Sequence, residues 1–189
     1  MSIPGVGTTL VRVLETRYKE RHGELEGLSF ELFTTADFEG GSPLNKVSLF
    51  LYRVEIDPTQ RHRELAPATL GGPTRVSLSL NLRYLLTVWT KDAEREHQIL
   101  QDCIEIFERD AIVSGALLNP TYTWESDAAL KVTLDSVSHE DMMRLWDLLD
   151  PKYRLSIPYQ VRTVRLAPVD QPIAPPVTAR ILGAAQGVR

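Results

Sequence analysis

The fold is decided by residues 76–91, VSLSLNLRYLLTVWTK. The even-numbered positions are apolar from Val76 to Val88, whereas the odd-numbered positions begin with polar side chains. A β-strand, whose side chains alternate between two faces, turns this pattern into one apolar face. From Tyr84 onward the other face becomes apolar as well, through Leu85 and Trp89. The pattern predicts a long strand that is covered on both sides at its second end.

Four further segments have the composition of strands. The last of them switches the parity of its apolar residues after Val161, which indicates either a bulge or a change in what covers the strand. Pro158 in the same segment donates no ladder hydrogen bond, so it favours a position at a sheet edge. The four segments are residues 28–33, 47–57, 131–137 and 153–166.

Three segments have the 3.6-residue apolar period of helices. The first begins at a cap provided by Thr8 or Thr9 and ends near Gly23. Asp92 caps the second, which runs to about residue 109 and is acidic on its outer side. Ser138 begins the third, and Asp150 with the following proline ends it.

These elements predict an α+β domain over residues 1–166. We expect a mainly antiparallel sheet of four to five strands with helices packed on one face. Residues 167–189 contain four prolines and little periodicity. They are predicted to form an extended tail that orders only on a partner.

Composition narrows the functional classes. The formal net charge of the 189 residues is -4 and the pI is near 5.6, so no overall basic field attracts nucleic acid. No apolar run approaches the roughly 18 residues of a membrane span, so we expect no direct membrane contact. The single cysteine excludes an internal disulfide and favours a reducing, cytoplasmic folding environment.

Motifs for chemistry are absent from the sequence. No two of the four histidines have the spacing of a metal-ligand pair, and no serine lies in a nucleophile elbow. Cys103 falls on the apolar side of a predicted helix, where a nucleophile is inaccessible. We therefore expect a protein that is not an enzyme and that needs no metal or cofactor. The alternative from another functional class is a small hydrolase or a ligand-binding domain. Either one requires a deep pocket with convergent polar groups.

Three blocks in order carry a resemblance to a known family. They are SLFLYRV at residues 48–54, LSLNLRYLLTVW at residues 78–89, and residues 143–149 followed by YRLSIPYQV at residues 153–161. Together they resemble the tail-terminator, or cap, proteins of contractile phage-tail-like injection systems. The sequence departs from the family at residues 99–101, Ile-Leu-Gln, where the family's helix usually has a leucine-glycine pair after a histidine.

The resemblance implies a structural role. Such a protein forms a ring, expected to be a hexamer, on the last ring of the inner tube protein, ends tube growth and seats the last ring of the sheath protein. It assembles in the cytoplasm and becomes part of a phage-tail-like particle that is released in some systems. The alternative within the same particle is an adaptor between baseplate and tube, at the other end of the tube.

Two groups of residues are candidates for these contacts. A ring with heterologous contacts needs two complementary sides, and the acidic helix face suits the arginines of the last strand. Leu85 and Trp89 are added because no second helix is evident to cover them. The candidate subunit contacts are thus Leu85, Trp89, Glu105, Arg154, Arg162 and Arg165, and the candidate tube contacts are Arg61, His62 and Arg63 in the long loop after Pro58.

The loop assignment gives a first prediction. Deletion of residues 60–70 should leave the fold intact, which circular dichroism checks, but should give tubes of uncontrolled length in electron micrographs. Loops of this length inside a domain usually serve a function. Tubes of normal length would show that the loop does not carry tube contact.

Overall fold

The computed structural model describes residues 2–25, 27–39, 44–57, 64–65, 75–76, 78–149 and 153–166. The elements follow in chain order, with η marking short 3-10 helices. They are α1 (Ile3–His22), β1 (Ser29–Phe33), η1 (Thr35–Phe38), β2 (Lys46–Ile56), β3 (Glu64–Leu65), β4 (Arg75–Val76), β5 (Leu78–Trp89), α2 (Ala93–Arg109), β6 (Ile112–Ser114), η2 (Gly115–Leu117), β7 (Ala129–Leu134), α3 (His139–Asp147) and β8 (Ser156–Leu166).

One mixed sheet of six strands, in the order β1-β2-β5-β8-β7-β6, forms the centre of the fold. The predicted α+β class is confirmed, but the sheet has more strands than expected. β1 pairs parallel to β2, and the other four pairings are antiparallel. Strand β5 lies between β2 and β8 over nearly its full length, which agrees with its role in the sequence pattern. The short strands β3 and β4 pair only with each other.

Helices α1 and α2 cover one face of the sheet. The even-numbered residues of β5 from Leu80 to Val88 are buried on this face, as the alternation predicts. Helix α2 contributes Ile99, Cys103 and Phe107 to the same core. Burial raises the pKa of the Cys103 thiol, so this cysteine packs as an apolar group in the core.

The opposite face is also covered at the second end of β5, as the apolar residues there predict, but two other expectations are wrong. Leu85 and Trp89 have 0% and 1% of their surface exposed, in a second core formed with η1 and α3. The Trp89 ring lies 5.8 Å from the ring of Phe38 and 6.2 Å from that of Trp146, and its Nε1 donates to Ser48 Oγ at 2.8 Å. The helices therefore pack on both faces, and the expectation that Leu85 and Trp89 form subunit contacts is wrong.

Helix α1 begins earlier than expected. The cap is Ser2, whose Oγ accepts from Gly5 N at 3.2 Å, and neither Thr8 nor Thr9 serves as the cap. Thr9 is buried inside the helix, and its Oγ1 accepts from Asn119 N. A Cβ at Gly5 would lie 3.0 Å from the ring of Tyr122, so glycine permits this helix turn to approach its neighbours.

Strand β8 carries the predicted bulge, because its register with β5 shifts between Leu80 and Leu82. Its predicted position at a sheet edge is wrong, since β8 lies between β5 and β7. Pro158 is tolerated there because β7 has ended by this level: the last pair is Leu134 with Tyr159. The Pro158 carbonyl accepts from Asp135 N at 2.9 Å.

The second core gives a prediction with a matched control. Leu85→Ala should lower the free energy of unfolding by about 2–5 kcal/mol, because it leaves a cavity between the sheet and α3. Leu148→Ala removes the same atoms from a side chain that is 84% exposed, and should change stability by less than about 0.5 kcal/mol. Urea denaturation followed by circular dichroism measures both. Equal stability of the two variants would contradict the assignment of Leu85 to the core.

Candidate assembly surface

Few side chains in the described part of the chain are arranged for chemistry. No group of three or more His, Cys, Asp or Glu side chains among the described residues can hold a metal ion. A cleft of about 520 Å³ lies between α1 and α2, and its arginines are held in ion pairs. Arg17 binds Asp110 at 2.7 Å and Arg21 binds Glu105 at 2.6 Å. These charges join two helices.

Strand β2 has an open edge in its second half. β1 pairs with β2 only from Lys46 to Phe50, so among the described residues no strand flanks this side of β2 beyond Phe50. Val54 and Ile56 are 47% and 46% exposed there, although their partners across the β5 pairing are buried. An edge with unpaired backbone groups and apolar side chains is suited to pairing with another chain.

A charged network fixes the backbone behind this edge. The register of β2 and β5 shifts between Leu51 and Arg53, which leaves Tyr52 at a bulge. Arg83 Nε donates to Glu55 at 2.8 Å, while Nη1 donates to Asp135, whose side chain is 7% exposed. The Tyr52 hydroxyl donates to Asp135 at 3.2 Å. Strand β2, strand β5 and the segment after β7 are thereby joined at one point.

The network changes the acidity of its members. Burial alone would lower the pKa of Arg83, but its hydrogen bonds to Glu55 and Asp135 outweigh burial and raise it. Burial and the neighbouring carboxylate of Asp135 raise the pKa of Tyr52 to about 12. Arg83 is therefore a permanent cation between two carboxylates, and Tyr52 remains a neutral donor at neutral pH.

Helix α3 borders the open edge across a cleft of about 430 Å³. The helix is capped by Ser138 Oγ, which accepts from Asp141 N at 3.1 Å, as the sequence predicts. Met142, Leu145 and Leu148 of this region face the cleft opposite Tyr52. The open edge and the cleft adjoin at Tyr52 and Arg53 and are together named the β2–α3 surface. The cleft lies on the face of the sheet that α3 covers, whereas Val54 and Ile56 lie on the other face with their partners Leu82 and Leu80.

The structure does not bring the predicted charged contacts together. Glu105 is bound within the subunit by Arg21 and, at 2.8 Å, by Gln101, and these bonds lower the pKa of Glu105. Residues 61–63, with Arg61, His62 and Arg63, lie outside the described residues. The three candidate arginines, Arg154 before β8 and Arg162 and Arg165 within it, have contacts in their own chain. The Arg154 carbonyl accepts from Ser156 Oγ at 3.0 Å, Arg162 Nε donates to Gln160 at 2.9 Å and Arg165 binds Asp127 at 3.2 Å.

The alternation of apolar residues predicts strand β2, but it does not show that the edge of its second half is open. Val54 and Ile56 follow the alternation of β2 and are expected to be buried like their neighbours. The available signal is length, because β1 has five residues and β2 has eleven. A partner strand of that length leaves half of β2 uncovered.

The Tyr52 site predicts a loss of stability at high pH. The folded chain holds the Tyr52 proton to about pH 12, whereas the unfolded chain releases it near 10.0, so the free energy of unfolding falls as pH rises between these values. Tyr52→Phe should flatten this fall and should cost about 1 kcal/mol at pH 7, because a hydrogen bond to Asp135 is lost. Urea denaturation at stepped pH measures both effects. A variant with the pH dependence of the native chain would refute the coupling.

Two solved structures share this fold. The chain aligns over 100% of its length with the sheath/tube terminator of an extracellular contractile injection system, PVC, in the extended state, with a TM-score of 0.65 and 19% identity. Over 97% of its length it aligns with the tube terminating cap of the anti-feeding prophage, with a TM-score of 0.62 and 16% identity. The chain spans 65% and 62% of those two proteins.

None of the helices among the described residues has the length and apolar content of a membrane span. No curated protein is significantly similar in sequence. The model of one family, described as the Pvc16 N-terminal domain, matches residues 5–180. Since this match includes nearly the whole chain, the protein belongs to the Pvc16 N-terminal domain family.

Proposed function

We propose that this chain is a structural cap of a contractile phage-tail-like injection particle. It forms a hexameric ring on the last ring of the tube protein, ends tube growth and offers a seat to the last ring of the sheath protein. The observation that carries the proposal is the alignment of the entire chain with a sheath/tube terminator and with a tube terminating cap. The role is structural and involves no catalysis. Assembly takes place in the cytoplasm, and the finished particle acts outside the cell.

The two flanks of the sheet supply a physical route to a ring. A closed ring requires that one side of a subunit fit the different, opposite side of its neighbour. The β2–α3 surface lies on one flank, with Val54 and Ile56 exposed. On the other flank, Ile112 of β6 and Leu134 of β7 are 63% and 51% exposed. We assign the subunit contact to these two flanks, since each has apolar area and strand edge to bury.

The charged contact between Glu105 and the arginines of β8 is a weaker route to the same ring. Glu105 must give up Arg21 to bind a neighbour, and both side chains are nearly half exposed. Exposed ion pairs stabilise by only about 0–1 kcal/mol. Burial of apolar side chains contributes about 25 cal/mol per Å², so the apolar flanks determine whether the ring forms.

A charge-matched pair of variants tests the proposal. Val54→Lys with Ile56→Lys places two positive charges on the open edge, and should give folded monomers in mass photometry. In particles, the same change should give tubes of uncontrolled length. Both side chains are half exposed, so the fold should lose little stability. Glu94→Lys, at the exposed start of α2, changes the net charge by the same amount and should leave ring and tube length intact.

Different results identify the faulty step. A ring of native mass from the double variant would overturn the flank assignment. Tubes of normal length in particles that lack the protein would overturn the cap function, even where the purified protein forms a ring. Immunogold labelling at the baseplate end would assign the chain to an adaptor.

A further inference from the structure

A continuous furrow runs along helix α1. Its first section, about 430 Å³, and its second, about 110 Å³, share Arg12 and Ala116 as lining residues. The second section shares Arg17 and Glu20 with the third, the cleft of about 520 Å³ between α1 and α2. The furrow thus follows α1 from Arg12 to Arg21.

The first section of the furrow is apolar and built on a fixed aromatic ring. Trp124 Nε1 donates to the Asn119 carbonyl at 2.7 Å, and a Cβ at Gly5 would lie 3.2 Å from Trp124 Cζ2. The ring is therefore held against the start of α1, beside Leu118 and Pro120. Grooves lined by rigid aromatic and apolar side chains bind proline-rich segments, which are already extended and lose little entropy on docking.

The end of β8 places a proline-rich segment at this section. Arg165 Nη1 lies 3.2 Å from Asp127 Oδ2, and the residues on both sides of Asp127, Ser126 and Ala128, line the furrow. Strand β8 ends one residue after Arg165, at Leu166. The chain that follows begins PVDQPIAPP at residues 168–176.

We propose that residues 168–176 dock in this furrow of their own chain as a polyproline II segment. Eight steps of 3.1 Å give the segment a length of about 25 Å. The α1 residues that line the furrow run from Arg12 to Arg21, a distance of about 14 Å at 1.5 Å per residue, so the segment is long enough to pass from the first section to the third. Asp170 is near the start of the segment. In this arrangement it lies beside the exposed Arg12, which lines the first two sections of the furrow.

Docking within one chain is favoured by the short connection. One residue separates Leu166 from Pro168, so the segment reaches the furrow at a high effective concentration, about millimolar for a short linker. If the segment docks in this way, residues 177–189 continue from the third section of the furrow, between α1 and α2. This inference does not depend on the cap function, since it concerns the folded subunit alone.

Crosslinking in the full chain tests the contact. Ala116→p-benzoylphenylalanine places a photoreactive group in the furrow, and irradiation should join it to a residue within 168–176. An equal mixture of ¹⁴N-labelled and ¹⁵N-labelled protein should give crosslinked peptides from single chains only, as read by mass spectrometry. The same group at Glu94, outside the furrow, is the control and should not react with the segment. Crosslinks to other segments, or peptides of mixed isotope, would overturn docking within the chain.

A charge exchange tests the register of the segment. Asp170→Arg and Arg12→Glu should each lower the crosslinking yield about fivefold, as expected for loss and reversal of an exposed ion pair. The double variant should recover most of the yield. Recovery of the yield in the double variant separates loss of the ion pair from any damage that either single change does to the fold. Yields equal to that of the native sequence in both single variants would overturn the placement of Asp170 at Arg12.

Discussion

The fold depends on the burial of strand β5 on both of its faces. One face meets α1 and α2, and the other meets η1 and α3. Each layer of helices covers only one face of the sheet. Both layers are therefore needed to bury β5 completely. Leu82 and Leu85 show the result, since neither retains any exposed surface. The other strands take their register from β5, directly in β2 and β8 and through β8 in β7.

The central strands and helices were predictable because each carries a periodic pattern of its own. The alternation of β5, the apolar side of α2 and the Ser138 cap of α3 are local properties, and the structure confirms all three. The face to which α3 packs is a relation between elements, and no local pattern encodes it. For that reason Leu85 and Trp89 were assigned to a contact surface, whereas Trp146 of α3 covers them.

The candidate site was predictable only in its composition. The apolar residues of β2 are evident from the sequence, but their exposure depends on where β1 ends. For the charged residues the sequence hides their partners within the chain: Glu105 and Arg165, predicted to contact a neighbouring subunit, are each paired within their own. Long-range partners such as Arg21 and Glu105, separated by 84 positions, cannot be paired from charge patterns alone. A ring contact through apolar strand edges agrees better with the described surface.

The Arg83 network has a consequence for the order of events during synthesis. Tyr52 and Arg83 are made before Asp135, which binds both of them. Until the ribosome has released the segment after β7, the bulge beside the open edge lacks its anchor, and β5 lacks β8 on its other side. The bulge beside the open edge is therefore anchored only after most of the subunit has been synthesised.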